Sequence, residues 1–197
     1  MATVTNVTAN LRTAVEALPP KLRDHILRVE NEAMKLARHH GEDPERASIA
    51  ALGHDLVRHK SHEELLDLAR RYDIDPDPVE IASPVLVHGP IAARMLTRDF
   101  DLTDEEIILG VDCHTTARPG MTMIEKMLFI ADKIEPNKLK RGGGLQEVYD
   151  LRKKDIDAAV LRFLDLRIEE ALSGGGQIHP RLIEARNDLV RLRKAKH

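Results

Sequence analysis

Apolar residues in this chain return every three to four positions in segment after segment, and nowhere do they alternate with the period of two that a half-buried strand needs. From position 21 to 40, Leu22, Ile26, Val29, Ala33, Leu36 and Ala37 form one stripe, and Gly41 supplies the stop. A shorter stripe of Val7, Leu11, Val15 and Leu18 ends at Pro19-Pro20, and Met123, Met127, Ile130 and Ile134 make another. Start signals agree with the stripes. Asp43-Pro44 places an N-cap before a first-turn proline, and Ser61 with Glu64, Thr103 with Glu106 and Thr122 with Glu125 have the spacing of capping boxes. Aromatic residues are only 3% and Trp is absent, so the core falls to Leu, Ile, Val, Ala and Met, a mix that suits packed helices. The expected class is all-α, with one domain over residues 21–197 preceded by a helical extension over residues 1–20 that serves packing.

Between the helices, residues 73–78 (DIDPDP) read as a loop, and Gly89-Pro90 breaks the pattern directly after His88. A helix IILGVDCH ends at His114. PNKLKRGGG is basic and glycine-rich, and composition leaves it equally a flexible connector or a phosphate-binding loop. Positions 145–172 read as one or two helices with a division at Asp155, and a last helix begins near Pro180.

The polar residues that interrupt this pattern carry the chemistry. His54 and Asp55 stand side by side in an Ala, Ile and Leu run, although ten histidines make roughly one such pair a chance event. The neighbours strengthen it: His25, His88 and His114 each lie at the edge or end of a helical stripe, and Asp132 stands among Phe129, Ile130, Ala131 and Ile134. A carboxylate there is either on an outer face or needs a cation inside. Adjacent helical residues project about 100° apart, so His54 and Asp55 reach one site only at a helix-end cleft. Imidazole and carboxylate donors suit Fe(II), Mn(II), Co(II) or Zn(II) and are poorly matched to Ca(II). Such an ion polarises a phosphoryl oxygen and acidifies water, so the constellation points to metal-assisted phosphoester or phosphoanhydride hydrolysis.

Other classes are less well served. A net charge of −3 with 32% charged residues gives no reason to expect a nucleic-acid partner. No apolar run spans a bilayer, the start MATVTNVTANLR lacks a signal peptide's basic and apolar regions, and a single cysteine, Cys113, excludes an intrachain disulfide; a cytoplasmic protein without membrane contact is expected. Cys113 beside His114 is a weak nucleophile pair because helical neighbours diverge, and no serine elbow or P-loop is present.

The order H…HD…H…H…D resembles the HD-domain phosphohydrolases. The strings HGEDPERASIAALGHD, VHGPIAARML, CHTTARPGM, IEKMLFIADKIEPNK, DIDAAV and IHPRLIEARN resemble, more narrowly, the YqeK family of symmetrical diadenosine tetraphosphate hydrolases, over positions 21–187. The resemblance implies an HD-domain helical bundle and an enzyme that cleaves diadenosine tetraphosphate to two ADP through a metal-activated water. It implies that His25, His54, Asp55 and Asp132 bind the metal, expected to be Fe(II), with Mn(II) or Co(II) as alternatives. Asp55, His88 and His114 are then the catalytic residues, with His88 and His114 either holding a second metal or contacting phosphate. Substrate contacts fall to Leu56, Val57, Arg58, His88, His114, Thr115, Arg118, Asp132, Lys138 and the run Gln177, Ile178, His179, Pro180. Arg58 stands where the family usually has Lys, and Lys138 where it has Arg, exchanges that alter phosphate geometry while keeping charge. The partner is the small nucleotide, and a homodimer is compatible with the family. Rival readings are an HD hydrolase for another nucleotide, a nucleotide-sensing module without turnover, and a structural helical protein that holds no metal.

Overall fold

The computed structural model describes residues 4–195 and is helical throughout, with no strand among those residues. Helix α1 (Val4–Glu16) is followed by α2 (Pro20–His40), the longest element, which ends at Gly41 in the left-handed conformation with its N–H bonded to the Ala37 carbonyl. Asp43 caps α3 (Pro44–Gly53) through a hydrogen bond from the Glu45 N–H, as the Asp-Pro signal predicts. Then come α4 (His62–Arg71), α5 (Pro78–Ala82), a 3-10 turn at Pro84–Val87, α6 (His88–Asp99) and α7 (Glu105–Cys113). The second half holds α8 (Met123–Ile134), the short α9 (Pro136–Leu139), α10 (Leu145–Leu151), α11 (Ile156–Gly174) and α12 (Pro180–Lys194).

Of the three boxes expected from sequence, only that of Ser61 and Glu64 forms in both directions. At α7 the cap is Asp104, whose carboxylate accepts from the Ile107 N–H, while Glu106 pairs with Arg46. Thr122 makes no side-chain capping bond, and the reciprocal bond is missing because Glu125 is fully buried with its two oxygens taken by the Arg118 guanidinium. An unforeseen box lies at the end of DIDPDP, where Asp77 caps α5 and Glu80 reaches back to the Asp77 N–H. Gly89 and Pro90 lie in the first turn of α6, where proline's missing N–H costs nothing. PNKL is one helical turn, and the glycines behind it hold φ of 78°, 69° and 78° at Gly142, Gly143 and Gly144, a run that L side chains resist.

The stripes read from sequence meet in one core. Ile26, Val29, Leu36, Ile49, Leu52, Leu96, Val111, Met127 and Ile130 are all essentially solvent-free within it. Burying side chains of this size contributes about 1.5–3 kcal/mol each, which gives α2, α3, α6, α7 and α8 a rigid mutual arrangement. Val7, Leu11 and Val15 of α1 belong to the same core, and Arg12 bonds Glu30 of α2 at 2.6 Å. A smaller cluster of Val57, Leu65, Ala69, Val87 and Ile91 seats α4 against α6 and the 3-10 turn. Phe129 of α8 meets Phe163 of α11 edge-on at 5.4 Å, so the second half of the chain leans on the helix that carries Asp132.

Candidate metal centre and its cleft

Three of the histidines stand where helical segments end. His54 follows the last residue of α3, His88 follows the 3-10 turn, and His114 follows α7. A helix end leaves carbonyl oxygens without intrahelical partners. In each case the ring exploits one: Nδ1 lies 2.6 Å from the Ala51 carbonyl in His54 and 2.7 Å from the Val111 carbonyl in His114, and His88 makes the same short bond to Val85. Because a carbonyl only accepts, Nδ1 carries the hydrogen in each ring, and in the neutral ring Nε2 keeps its lone pair. His25 comes from the first turns of α2 and turns Nδ1 toward Glu135, whose Oε1 is 3.5 Å away.

These lone pairs converge on two buried carboxylates. His25 Nε2 lies 3.1 Å from Asp132 Oδ1 and 3.4 Å from Asp55 Oδ2; His54 Nε2 lies 3.4 Å from the same Asp55 oxygen. The other Asp55 oxygen, Oδ1, faces His88 Nε2 at 2.9 Å and His114 Nε2 at 3.5 Å, and those two nitrogens are 3.0 Å apart. Asp55 therefore divides the centre, one oxygen to each pair of imidazoles.

A metal fits. The Nε2 atoms of His25 and His54 are buried without an aligned hydrogen-bond partner, and groups of three donors, such as His25, His54 and Asp55, lie within 4.8 Å of one another. Ligands bound at about 2.1 Å around an octahedral ion are about 3.0 Å apart along its edges, close to the spacing seen. His25 and Glu135 also make the carboxylate–imidazole pair that commonly orients a metal-binding histidine, with Glu135 held by Arg28 at 2.6 Å.

The electrostatics suit cation binding. Burial alone would raise the Asp55 carboxyl, but the imidazoles of His54, His114 and His25 outweigh it and hold the group well below the usual carboxylate range. For Asp132 burial is likewise opposed, chiefly by Lys133 and Lys138, each with its ammonium 2.6 Å from one carboxylate oxygen. Burial pushes His114 down to about 3 despite Asp55, with His88 and His54 acting in the same direction. Burial also lowers Lys133 against the pull of Asp132. His25 is raised: its burial acts downward and is overcome by Asp132 and Asp55.

The centre opens into a cleft of about 1060 Å³. That exceeds the roughly 300–1,000 Å³ of ordinary small-molecule sites and suits a long ligand. Of the residues expected to touch substrate, Arg58, His88, His114, Thr115, Asp132, Lys138, Gln177, Ile178 and His179 line it, as does Asp55. Thr115 brings a buried hydroxyl with no partner. Leu56 and Val57 instead lie in the two apolar clusters, Arg118 is bound to Glu125, and Pro180 is the exposed first residue of α12. Arg141, from the basic PNKLKRGGG segment, lines it as well, and basic lining residues that the sequence reading passed over are Lys133 and Arg167. Lys133 had a signal, since it adjoins Asp132; its inward direction, with a bond to the His114 carbonyl, depends on α7 meeting α8.

Close backbone approach also shapes the centre. A Cβ on Gly89 would lie 2.9 Å from the Val111 carbonyl oxygen and 3.1 Å from His114 Nδ1, so only glycine lets α6 and α7 bring His88 and His114 together. Cys113 takes no part: burial, then Glu125, pushes its thiol far above its ordinary value.

With this geometry in place, a family model for the HD domain matches residues 22–159. The chain belongs to the HD-domain family. It falls in the YqeK branch, as the strings around the centre imply. Among its HD-domain relatives, the symmetrical bis(5'-nucleosyl)-tetraphosphatase of Staphylococcus aureus is 35% identical over 68% of this chain and 68% of its own length. The protein of the same name from Bacillus subtilis is 35% identical over 70% of this chain and 73% of its own. The crystal structure of a predicted HD superfamily hydrolase involved in NAD metabolism from Clostridium acetobutylicum superposes with a TM-score of 0.86, at 30% identity, covering 97% of this HD-domain chain and 98% of that one. The all-α HD bundle expected from sequence is thus the fold observed.

Proposed function

We propose that this HD-domain protein hydrolyses diadenosine tetraphosphate symmetrically, giving two ADP, with a divalent metal held by His25, His54, Asp55 and Asp132. The observation that carries the reading is the convergence of imidazole nitrogens and two ionised carboxylates beside a cleft of about 1060 Å³ lined by five Lys and Arg side chains. The tetraphosphatase relatives supply the substrate class. When bound, the ion supplies Lewis-acid charge to the phosphoryl oxygens and the attacking water. Among the imidazole and carboxylate metals we favour Fe(II), with Mn(II) and Co(II) as alternatives.

The chain's own groups divide the remaining work. Asp55 Oδ1, between His88 and His114, is placed to hold and orient the water. His88, His114 and Thr115 face the phosphorus under attack. Arg58, Lys133 and Lys138 bring cationic charge to the tetraphosphate, where water-poor surroundings make it count most. ADP leaves as a weakly basic phosphate, so a strong general acid is not required. The segment from Gln177 to His179 borders one nucleotide. No helix is long and apolar enough to cross a membrane among the described residues, and we place the protein in the cytoplasm.

The test is anaerobic incubation of Fe(II)-loaded protein with diadenosine tetraphosphate and chromatography of the products. ADP alone is expected. ATP with AMP would move the attack to another phosphorus, and bound metal with no product would favour a nucleotide-sensing module.

A further inference from the structure

The same cleft is lined by Val79 of α5, by Ser83 just after it, and by Gln177, Ile178 and His179 of the segment leading into α12, which meets α5. The wall made by that segment is poorly anchored. From position 172 to 180 every residue is exposed or half-buried except His179, which is only 5% exposed, and Leu172 beside the glycine turn is 71% exposed. Between the glycine turn, which bonds back to the Ala171 carbonyl, and the packed helix α12, His179 is the one buried side chain of that wall.

Its attachment is to Asp77 and Glu80. His179 Nε2 lies 3.1 Å from Asp77 Oδ2 and 3.5 Å from Glu80 Oε1, between the two and aligned with neither. The partner oxygens on these carboxylates are already occupied. Asp77 Oδ1 accepts from the N–H groups of Val79 and Glu80, and Glu80 Oε2 accepts from the Asp77 N–H. The capping box thus holds both acids rigid and leaves one free oxygen of each turned to the histidine.

The same three groups have the spacing of a metal site. The ring hydrogen decides otherwise. His179 is the N-cap of α12, and its Nδ1 accepts from the Arg181 N–H at 3.2 Å. Nδ1 must keep its lone pair, so Nε2 bears the hydrogen and has nothing to offer a cation.

We propose that Asp77 and Glu80 are positioning residues for substrate: through the His179 Nε2–H they hold the Gln177 to His179 wall at the distance the nucleotide requires, without touching the reacting atoms. This rests on the nucleotide reading of the cleft, and goes beyond it in assigning a role to two acids outside the centre.

The test is the double variant Asp77→Asn with Glu80→Gln. Both capping bonds need an oxygen, so the oxygens stay in the box and the two amide NH₂ groups are turned to the His179 N–H, donor against donor. Helix α5 keeps its caps while the bridge is lost. In metal-loaded protein we expect unchanged metal content and melting temperature, a KM for diadenosine tetraphosphate raised about tenfold, and kcat within about twofold. Amide hydrogen exchange at Gln177 to His179 should quicken about tenfold in the same protein without substrate. Unchanged exchange and unchanged KM overturn the proposal, as does a fall in kcat and melting temperature with no separate rise in KM. If wild-type protein does not turn the substrate over, the functional reading fails on that observation, and the exchange comparison still decides whether the bridge holds the wall.

Discussion

Two sets of histidines in this molecule are used in opposite ways, and the difference lies in which free backbone group each ring meets. His54, His88 and His114 follow the ends of helical segments, donate Nδ1–H to a carbonyl three residues back and present a bare Nε2 to the centre. His179 begins a helix, accepts at Nδ1 from a free N–H and presents Nε2–H to two carboxylates. Free carbonyls at one end and free N–H groups at the other select the tautomer. A cluster of imidazole and carboxylate therefore offers lone pairs to a cation in one place and an N–H to two carboxylates in the other.

Breaking the cation site outright has the largest expected effect. Asp132→Ala removes a carboxylate shared by His25, Lys133 and Lys138. Metal content should fall to background by elemental analysis and turnover by at least about a hundredfold, the scale that even outer-sphere changes reach. Retained metal with full turnover would remove Asp132 from the ligand set. Gly89→Ala attacks the helix-end arrangement itself, driving a methyl against the Val111 carbonyl and the His114 ring. Overpacking of this kind costs about 1–3 kcal/mol, and denaturant titration should find it together with a loss of turnover larger than the stability change explains.

A milder change sharpens the tautomer argument. Glu135→Gln leaves the four proposed ligands in place but weakens the partner of His25 Nδ1. Metal affinity, measured by competition with a chelator, should drop about 10–100-fold while the melting temperature of the apo-protein moves little. The smallest effect belongs to the far end of the helix that carries His114. Arg46 holds the Asp104 carboxyl below its ordinary value, its burial opposing. A lowered carboxylate contributes stability above its unfolded pKa and loses it as pH falls through the folded value. Asp104→Asn keeps an N-cap and loses the charge, so it should lower stability near neutrality by under about 1 kcal/mol, since the pair is part-exposed, with the deficit vanishing in acid. A deficit that persists in acid would assign Asp104 a purely steric role.

Much of this was legible in the residues. The stripes of α2 and α8, the Asp43-Pro44 start and the division at Asp155 mark helices by local rules, and those rules operate over single turns of chain. The donors of the centre were also legible, because His54 and Asp55 at a helix end and Asp132 in an apolar run are local anomalies. Glu135 and Lys133 were missed although both lie in ADKIEPN, since nothing in that string says which of its charges turn inward. The box of Asp77 and Glu80 was hidden inside a proline-rich loop, and Arg118 looked like a cleft residue until Glu125 claimed it.

By itself, then, the sequence determined the helices, their order and the residue types able to hold a metal, because period, caps and burial preference act within a turn or two. Only the tertiary structure decided that Asp55 offers one oxygen to each imidazole pair, that Leu56 and Val57 belong to the core, and that His179 meets Asp77. Those are facts about side chains from distant helices meeting within about 3 Å, and no local rule sets such distances; packing of the whole bundle does.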